Sequence, residues 1–202
     1  LAAAGATTCT ACSKGQYSTQ STIRCVDCSA GRYGDTEGAT SASACTACAK
    51  GRYVVVSGSG DVSACLECGS GSVVKVSNGS VVSAGGVSCS PCDAGLYSSE
   101  SHVSCSACGP GTVTDTLAAA GATTCTACSK GQYSHSSVTA CKDCGAGLYL
   151  PDEGARLESD CIECDAGKSV STTGSKSEAD CVSCSVGQHQ SQKGQSHCIA
   201  CE

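Results

Sequence analysis

The chain has 202 residues, 22 of them cysteine, with no Trp, Phe or Met, 3% aromatic residues and a formal net charge of −6. Lacking large side chains, it cannot bury one sizeable core, which argues against an ordinary globular domain and for a disulfide scaffold with many small covalent cores. The acidic charge is modest and no basic patch interrupts it, which argues against nucleic acid as a partner. No apolar run approaches the roughly 20 residues of a membrane span.

The sequence starts inside a repeat, with no initiating Met and no visible signal peptide, and reads as a window cut from a longer array. Every cysteine belongs to one of eleven C-x-x-C pairs, whose first members are Cys9, Cys25, Cys45, Cys65, Cys89, Cys105, Cys125, Cys141, Cys161, Cys181 and Cys198. The steps between pairs are 16, 20, 20, 24, 16 and 20 residues, then 16, 20, 20 and 17. The first six steps span 116 residues, and then the order begins again. A super-repeat of six modules is therefore predicted over 1–116, with a second, partial one over 117–202. Leu1 to Ser18 is identical to Leu117 to Ser134, whereas GRYGDTEGA at 31–39 and GLYLPDEGA at 147–155 are only similar. That mixture points to recent duplication or exchange within an array.

Within every module a glycine follows three places after the second cysteine of the pair: Gly15, Gly31, Gly51, Gly71, Gly95, Gly111, Gly131, Gly147, Gly167 and Gly187. Such regularity is a backbone demand for positive φ or close chain approach in a tight turn. Two places further stand all six tyrosines, Tyr17, Tyr33, Tyr53, Tyr97, Tyr133 and Tyr149; the other modules place Val73, Val113, Ser169 and His189 there. Glycine and tyrosine two apart are expected on one side of a strand, with the ring covering its own or the next disulfide. The alternative makes the tyrosines exposed ligand contacts. The 20-residue modules mostly carry a second glycine, at Gly38, Gly58, Gly154 and Gly174, where a turn at the loop tip is predicted. In the longest module two valine-rich arms, Val73–Val76 and Val81–Val82, flank Asn78-Gly79, a strong β-hairpin signal. Helix is expected nowhere; Leu117–Ala122 is too short and is broken at Gly121.

Paired C-x-x-C motifs also describe zinc ribbons. A tetrahedral site takes two pairs, eleven is odd, and zinc has no need of the recurring glycine. Thioredoxin-like redox chemistry needs a βαβ context that the pattern lacks. Disulfides are the preferred reading, which implies an oxidising compartment, hence the cell surface or the extracellular space. Spacing alone does not fix the connectivity. The preferred scheme joins the second cysteine of each pair to the first of the next: Cys12–Cys25, Cys28–Cys45, Cys48–Cys65, Cys68–Cys89, Cys92–Cys105, Cys108–Cys125, Cys128–Cys141, Cys144–Cys161, Cys164–Cys181 and Cys184–Cys198. The alternative cross-links consecutive pairs twice (Cys9–Cys25 with Cys12–Cys28) and strands one pair.

The phrase C-x-x-C-x-x-G-x-Y…C-x-x-C resembles the ephrin-receptor-like cysteine-rich repeats of many eukaryotic surface proteins, and the likeness covers the whole chain. It is also similar to the single-disulfide modules of tumour necrosis factor receptors and to the last loop of epidermal growth factor domains. The resemblance implies a small disulfide-rich fold of tandem short β-hairpin modules stacked into an elongated rod, essentially without helix. It supports the neighbour pairing of cysteines. Repeats of this kind serve as stalks, spacers, antigens and fibre parts. The two-disulfide module that alternates in tumour necrosis factor receptors is absent here.

Asn78-Gly79-Ser80 is the only glycosylation sequon, and its place at a hairpin tip predicts an exposed N-glycan; the alternative is a plain turn. Ser and Thr are abundant enough for O-glycans. Asp35 with Glu37 and Asp152 with Glu153 occupy equivalent tips but match no calcium-loop pattern, so solvated turns are expected. His189 takes a tyrosine slot and is expected to stack, while His102, His135 and His197 fall in loops. None accompanies the carboxylate and nucleophile of a hydrolytic triad. No enzyme, cofactor or metal is therefore predicted. The expected role is a structural array in an extracellular filament, surface hair or coat that associates with itself. The alternatives are a receptor stalk or ligand-binding ectodomain, or a variable surface antigen.

Overall fold

Each module begins by reversing direction within four residues. In the first, the Gln16 N–H donates to the Ser13 carbonyl at 3.1 Å, and Gly15 between them has φ 83°. A positive φ at the third residue is what a type II turn requires, and a Cβ makes it costly. The computed structural model describes residues 7–20, 24–99 and 104–202. All ten turn glycines lie between φ 73° and 86°. They therefore sit in the turn ahead of the strand, and the expected sharing of one strand face by glycine and tyrosine is corrected, because such a φ is incompatible with extended backbone.

From the turn the chain runs into a short strand that pairs, antiparallel, with the residues between the next two cysteines. Gln16–Tyr17 pairs with Val26–Asp27 in the register Gln16↔Asp27 and Tyr17↔Val26. The same register recurs in Gln132–Tyr133 with Lys142–Asp143, one super-repeat along. All ten sheets found are such two-stranded hairpins. Isolated hairpins of this size are marginal in water, and each here is closed by a cystine. The bonds are Cys12–Cys25, Cys28–Cys45, Cys48–Cys65, Cys68–Cys89, Cys92–Cys105, Cys108–Cys125, Cys128–Cys141, Cys144–Cys161, Cys164–Cys181 and Cys184–Cys198, with Cα separations of 5.5 to 5.9 Å. Numbered in this order, they define modules one to ten.

The longest module differs from the sequence-based expectation. Strand Ser72–Lys75 takes Ser88–Pro91 as its main partner, with Val74 opposite Cys89. The Asn78-Gly79 turn closes only a subsidiary arm, through a Lys75↔Val81 bridge and a bond from the Val82 N–H to the Val74 carbonyl. The reason is covalent: the Cys68–Cys89 bond holds 88–91 against the first strand and leaves the Val81 arm its other edge. Val73 and Val74 are accordingly buried while Val81 is exposed.

Loop tips of four of the five 20-residue modules carry single 3-10 turns, at Ala42–Ala44, Val62–Ala64, Glu158–Asp160 and Glu178–Asp180. Among the described residues there is no α-helix. The chain falls into two compact units, Leu1–Cys92 with Ser98–Cys105, and Asp93–Tyr97 with Ser106–Glu202. The core of each is a series of cystines, with Cys48 and Cys68 fully buried in one and Cys144 and Cys164 in the other. A few aliphatic side chains supplement them, such as Val54 in the first unit and Leu150 in the second.

Candidate functional site

Among the described residues no deep apolar pocket with convergent catalytic groups stands out; what recurs is the seam between consecutive modules. Its bonds come from backbone, so it needs conformation more than side chains. At the seam between modules seven and eight, the Gly131 N–H donates to the Leu150 carbonyl at 2.9 Å and the Cys144 N–H donates to the Gly131 carbonyl at 2.8 Å. The Gly154 N–H donates to the Cys128 carbonyl at 2.7 Å, and the Ser134 N–H to the Ala155 carbonyl at 3.0 Å. Between modules two and three the equivalents are Gly31 to Val54, Cys48 to Gly31, Gly58 to Cys28 and Gly34 to Ser59. Each seam thus satisfies backbone groups that a lone module would leave to water.

The tyrosines sit on this seam. Tyr133 packs on the next module's cystine, Cys144–Cys161, together with Leu150, and is only 9% exposed. Tyr33 and Tyr149 pack likewise against Cys48–Cys65 and Cys164–Cys181. Tyr17, Tyr53 and Tyr97 are half-buried and form parallel bridges to Ala39, Gly86 and Ala122 of the following module. Burial of the Tyr133 ring, reinforced by nearby Glu158, raises its phenol above the usual range.

A second contact skips a module. A Cβ added at Gly15 would meet the Gly58 carbonyl two modules on, and the same holds for Gly31 with Gly85, Gly111 with Gly154, Gly131 with Gly174 and Gly147 with Gly194. The turn glycine of one module is therefore closed over by the tip glycine of the module after next. At these five positions the close approach, as much as the positive φ, excludes a side chain. Gly95 faces Ser137 and Val138 instead, because module seven is a short module without the tip glycine.

The tips are held by local polar bonds. Asp160 Oδ2 accepts from the Arg156 and Leu157 N–H groups, and Asp180 Oδ2 accepts from those of Lys176 and Ser177. Asp61 Oδ1 accepts from the Ser63 N–H at 2.7 Å. These bonds hold the Asp160 carboxyl below its usual range, the Leu157 and Arg156 N–H groups being the main cause, and the Ser63 bonds do the same for Asp61. Lys193, at the tip of module ten, reaches Asp165 of module nine at 2.7 Å. This pair lowers the Asp165 carboxyl and raises the Lys193 ammonium. Both partners are exposed, so the contribution to stability is small.

A family model described as tyrosine-protein kinase ephrin type A/B receptor-like matches residues 1–45, 79–125, 116–161 and 131–181, well over half of the chain. The chain belongs to this family. Ephrin-receptor-like cysteine-rich repeats are non-catalytic in general, and together with ten cystines they indicate an extracellular domain. No curated protein matches the chain. Among the described residues no helix is long and apolar enough to cross a membrane.

Other residues singled out in these ephrin-receptor-like repeats are scattered over the surface. Asn78 is exposed, with Oδ1 accepting from the Ser80 N–H at 2.9 Å, while Gly79 at φ 83° completes the turn. His189, expected to stack like a tyrosine, is exposed instead, and its Nδ1 lies 3.8 Å from Cys201 Sγ. His102 lies outside the described residues; His135 and His197 are exposed and far apart in the chain. Asp35, Glu37, Asp152 and Glu153 are exposed. Among the described residues no three His, Cys, Asp or Glu side chains converge on a metal-sized space. Cys9 and Cys201 carry exposed thiols. Sequence reasoning missed Gly85 and Gly194, which share the positive φ and seam bonds of the other tip glycines. The missed signal is a second tip design, with the glycine four places before the closing cysteine instead of seven.

Proposed function

We propose that this chain is a non-catalytic structural array forming part of an extracellular filament, surface hair or coat, and that it associates with itself. The observation that carries this reading is recurrence of surface detail at the super-repeat spacing. Gln16 Nε2 donates to Asp27 Oδ1 at 2.8 Å, and Gln132 Nε2 to Asp143 Oδ1 at the same distance. The 3-10 turns at Ala42–Ala44 and Val62–Ala64 recur at Glu158–Asp160 and Glu178–Asp180. Patches that recur at a fixed spacing suit head-to-tail or lateral association into open assemblies. The assembly unit in this reading is residues 1–116, with 117–202 opening the next. Asn78, exposed at its turn, is the N-glycan site.

Electron microscopy of the native material tests this reading. Fibres with an axial period equal to one super-repeat support it; dispersed monomeric rods overturn it. A second reading, a receptor stalk or ligand-binding ectodomain, takes support from the receptor named in the family description. Dispersed rods carrying a non-repeating head would favour that alternative. Loss of mass on treatment with an N-glycan-specific amidase, abolished by Asn78→Gln, tests the glycan.

A further inference from the structure

One hollow in the second unit departs from the seam in its chemistry. It has a volume of about 360 Å³ and lies where the turn of module six meets the tips of modules seven and eight. Gly111 and Thr112 contribute from the turn, and His135, Ser136, Ser137 and Arg156 from the tips. No carboxylate side chain lines it. Thr112 Oγ1 is engaged, donating to the Gly109 carbonyl at 2.6 Å. Ser136 Oγ accepts from the Val138 N–H at 3.4 Å, which leaves its own hydrogen free. The Ser137 hydroxyl, the His135 ring and the Arg156 guanidinium have no hydrogen-bond or ion-pair partner among the described residues. Asp160, the carboxylate that feels the Arg156 charge, is tied to the backbone N–H groups of Arg156 at 2.8 Å and Leu157 at 2.9 Å.

His135 and Arg156 both depart from the first super-repeat. The block identical to Leu1–Ser18 ends at Ser134, and the next residue is His135 where the first copy has Thr19. Arg156 likewise replaces Thr40. Thr19 and Thr40 line a hollow of about the same volume, 360 Å³, which carries no charged side chain. The equivalent loop tips thus line a neutral hollow in the first copy, walled there by residues 9–12 and not by the turn of a preceding module, and a cationic, donor-rich one in the second, within a chain of net charge −6.

We propose that the hollow of the second unit binds the acidic group of a saccharide, a carboxylate or a sulfate, with one sugar ring seated in it. A planar guanidinium grips either oxyanion through two parallel hydrogen bonds, and His135 adds a third donor. The Ser136 and Ser137 hydroxyls suit the ring hydroxyls. The volume is in the range of small-ligand sites, and the polar lining offers no anchor pocket for peptide side chains. The inference stands whether or not the chain forms fibres.

The test is a titration of the full chain at low ionic strength, followed by amide and guanidinium NMR signals. The probes are a hexuronate disaccharide, a sulfated disaccharide and a short poly-glutamate peptide. Saturable shifts at His135, Ser136, Ser137 and Arg156, with none at Thr19, Gln20 and Thr40, are expected with at least one of the two sugars. Which sugar responds identifies the oxyanion. His135→Thr and Arg156→Thr restore residues that the first copy already tolerates, so folding is not at risk. Each should weaken binding by about tenfold, the order of one charge-assisted contact. The proposal is overturned by no response to either sugar up to about 10 mM, by affinity unchanged in both variants, by equal shifts around Thr19 and Thr40, or by saturation with the peptide alone.

Discussion

At the scale of single residues, glycine carries two separable demands, and a pair of substitutions separates them. Gly131 and Gly167 have nearly the same backbone, φ 81° and 83°. A Cβ at Gly131 runs into the Gly174 carbonyl, whereas nothing lies within 4 Å of one at Gly167. Gly167→Ala should cost about 1 kcal/mol, the left-handed penalty alone. Gly131→Ala should cost clearly more, because the tip of module nine must retreat. Thermal unfolding with the cystines intact measures the difference, and equal losses would refute the module-skipping contact. Leu117 offers the converse: it is the only non-glycine at positive φ among the described residues, at 52°. Leu117→Gly is expected to stabilise the second unit by about 1 kcal/mol. Tyr133→Ala should remove about 3 kcal/mol, as a buried aromatic does, while Tyr133→Phe keeps the ring on Cys144–Cys161 and most of that stability.

At the scale of elements, the loop tip decides how a module joins its neighbours, and one carboxylate holds it. Asp160 is lowered by its bonds from the Leu157 and Arg156 N–H groups, so it favours the folded tip fully above the usual carboxylate pKa. That contribution fades as pH falls through the lowered folded value. An NMR titration of the Asp160 carboxyl carbon should find its midpoint below the ordinary aspartate range, and in Asp160→Asn the tip should lose its pH dependence. Turn, hairpin and cysteine-rich module were legible in the sequence because covalent spacing and glycine position are local signals. The partner of Ser72–Lys75 was not, since Asn78-Gly79 advertises a nearer hairpin than the cystine permits. Seam bonds escaped sequence reading too. They join Gly131 to Leu150 and Gly154 to Cys128 through backbone atoms, which leave no side-chain pattern beyond glycine itself. His135 read as an ordinary loop residue, and Arg156 carried no signal in the sequence, until the fold placed both on one hollow.

At the scale of the molecule, stability within each unit belongs to the row. A core of cystines, tyrosines and a few aliphatics offers too little apolar area for any one module, so neighbours must supply the rest, as in other repeat proteins. Denatured but unreduced protein should therefore titrate only Cys9 and Cys201 as thiols, and reduction should unfold both units together with their hairpins. The most direct test of the row is hydrogen exchange on the full chain. The turn-glycine amides Gly31, Gly131 and Gly147 bond only across seams, to Val54, Leu150 and Val170. They should be protected about as strongly as the paired amides inside the hairpins. Exchange at the rate of open loops, with the hairpin amides still protected, would mean that modules fold singly and the seams are incidental.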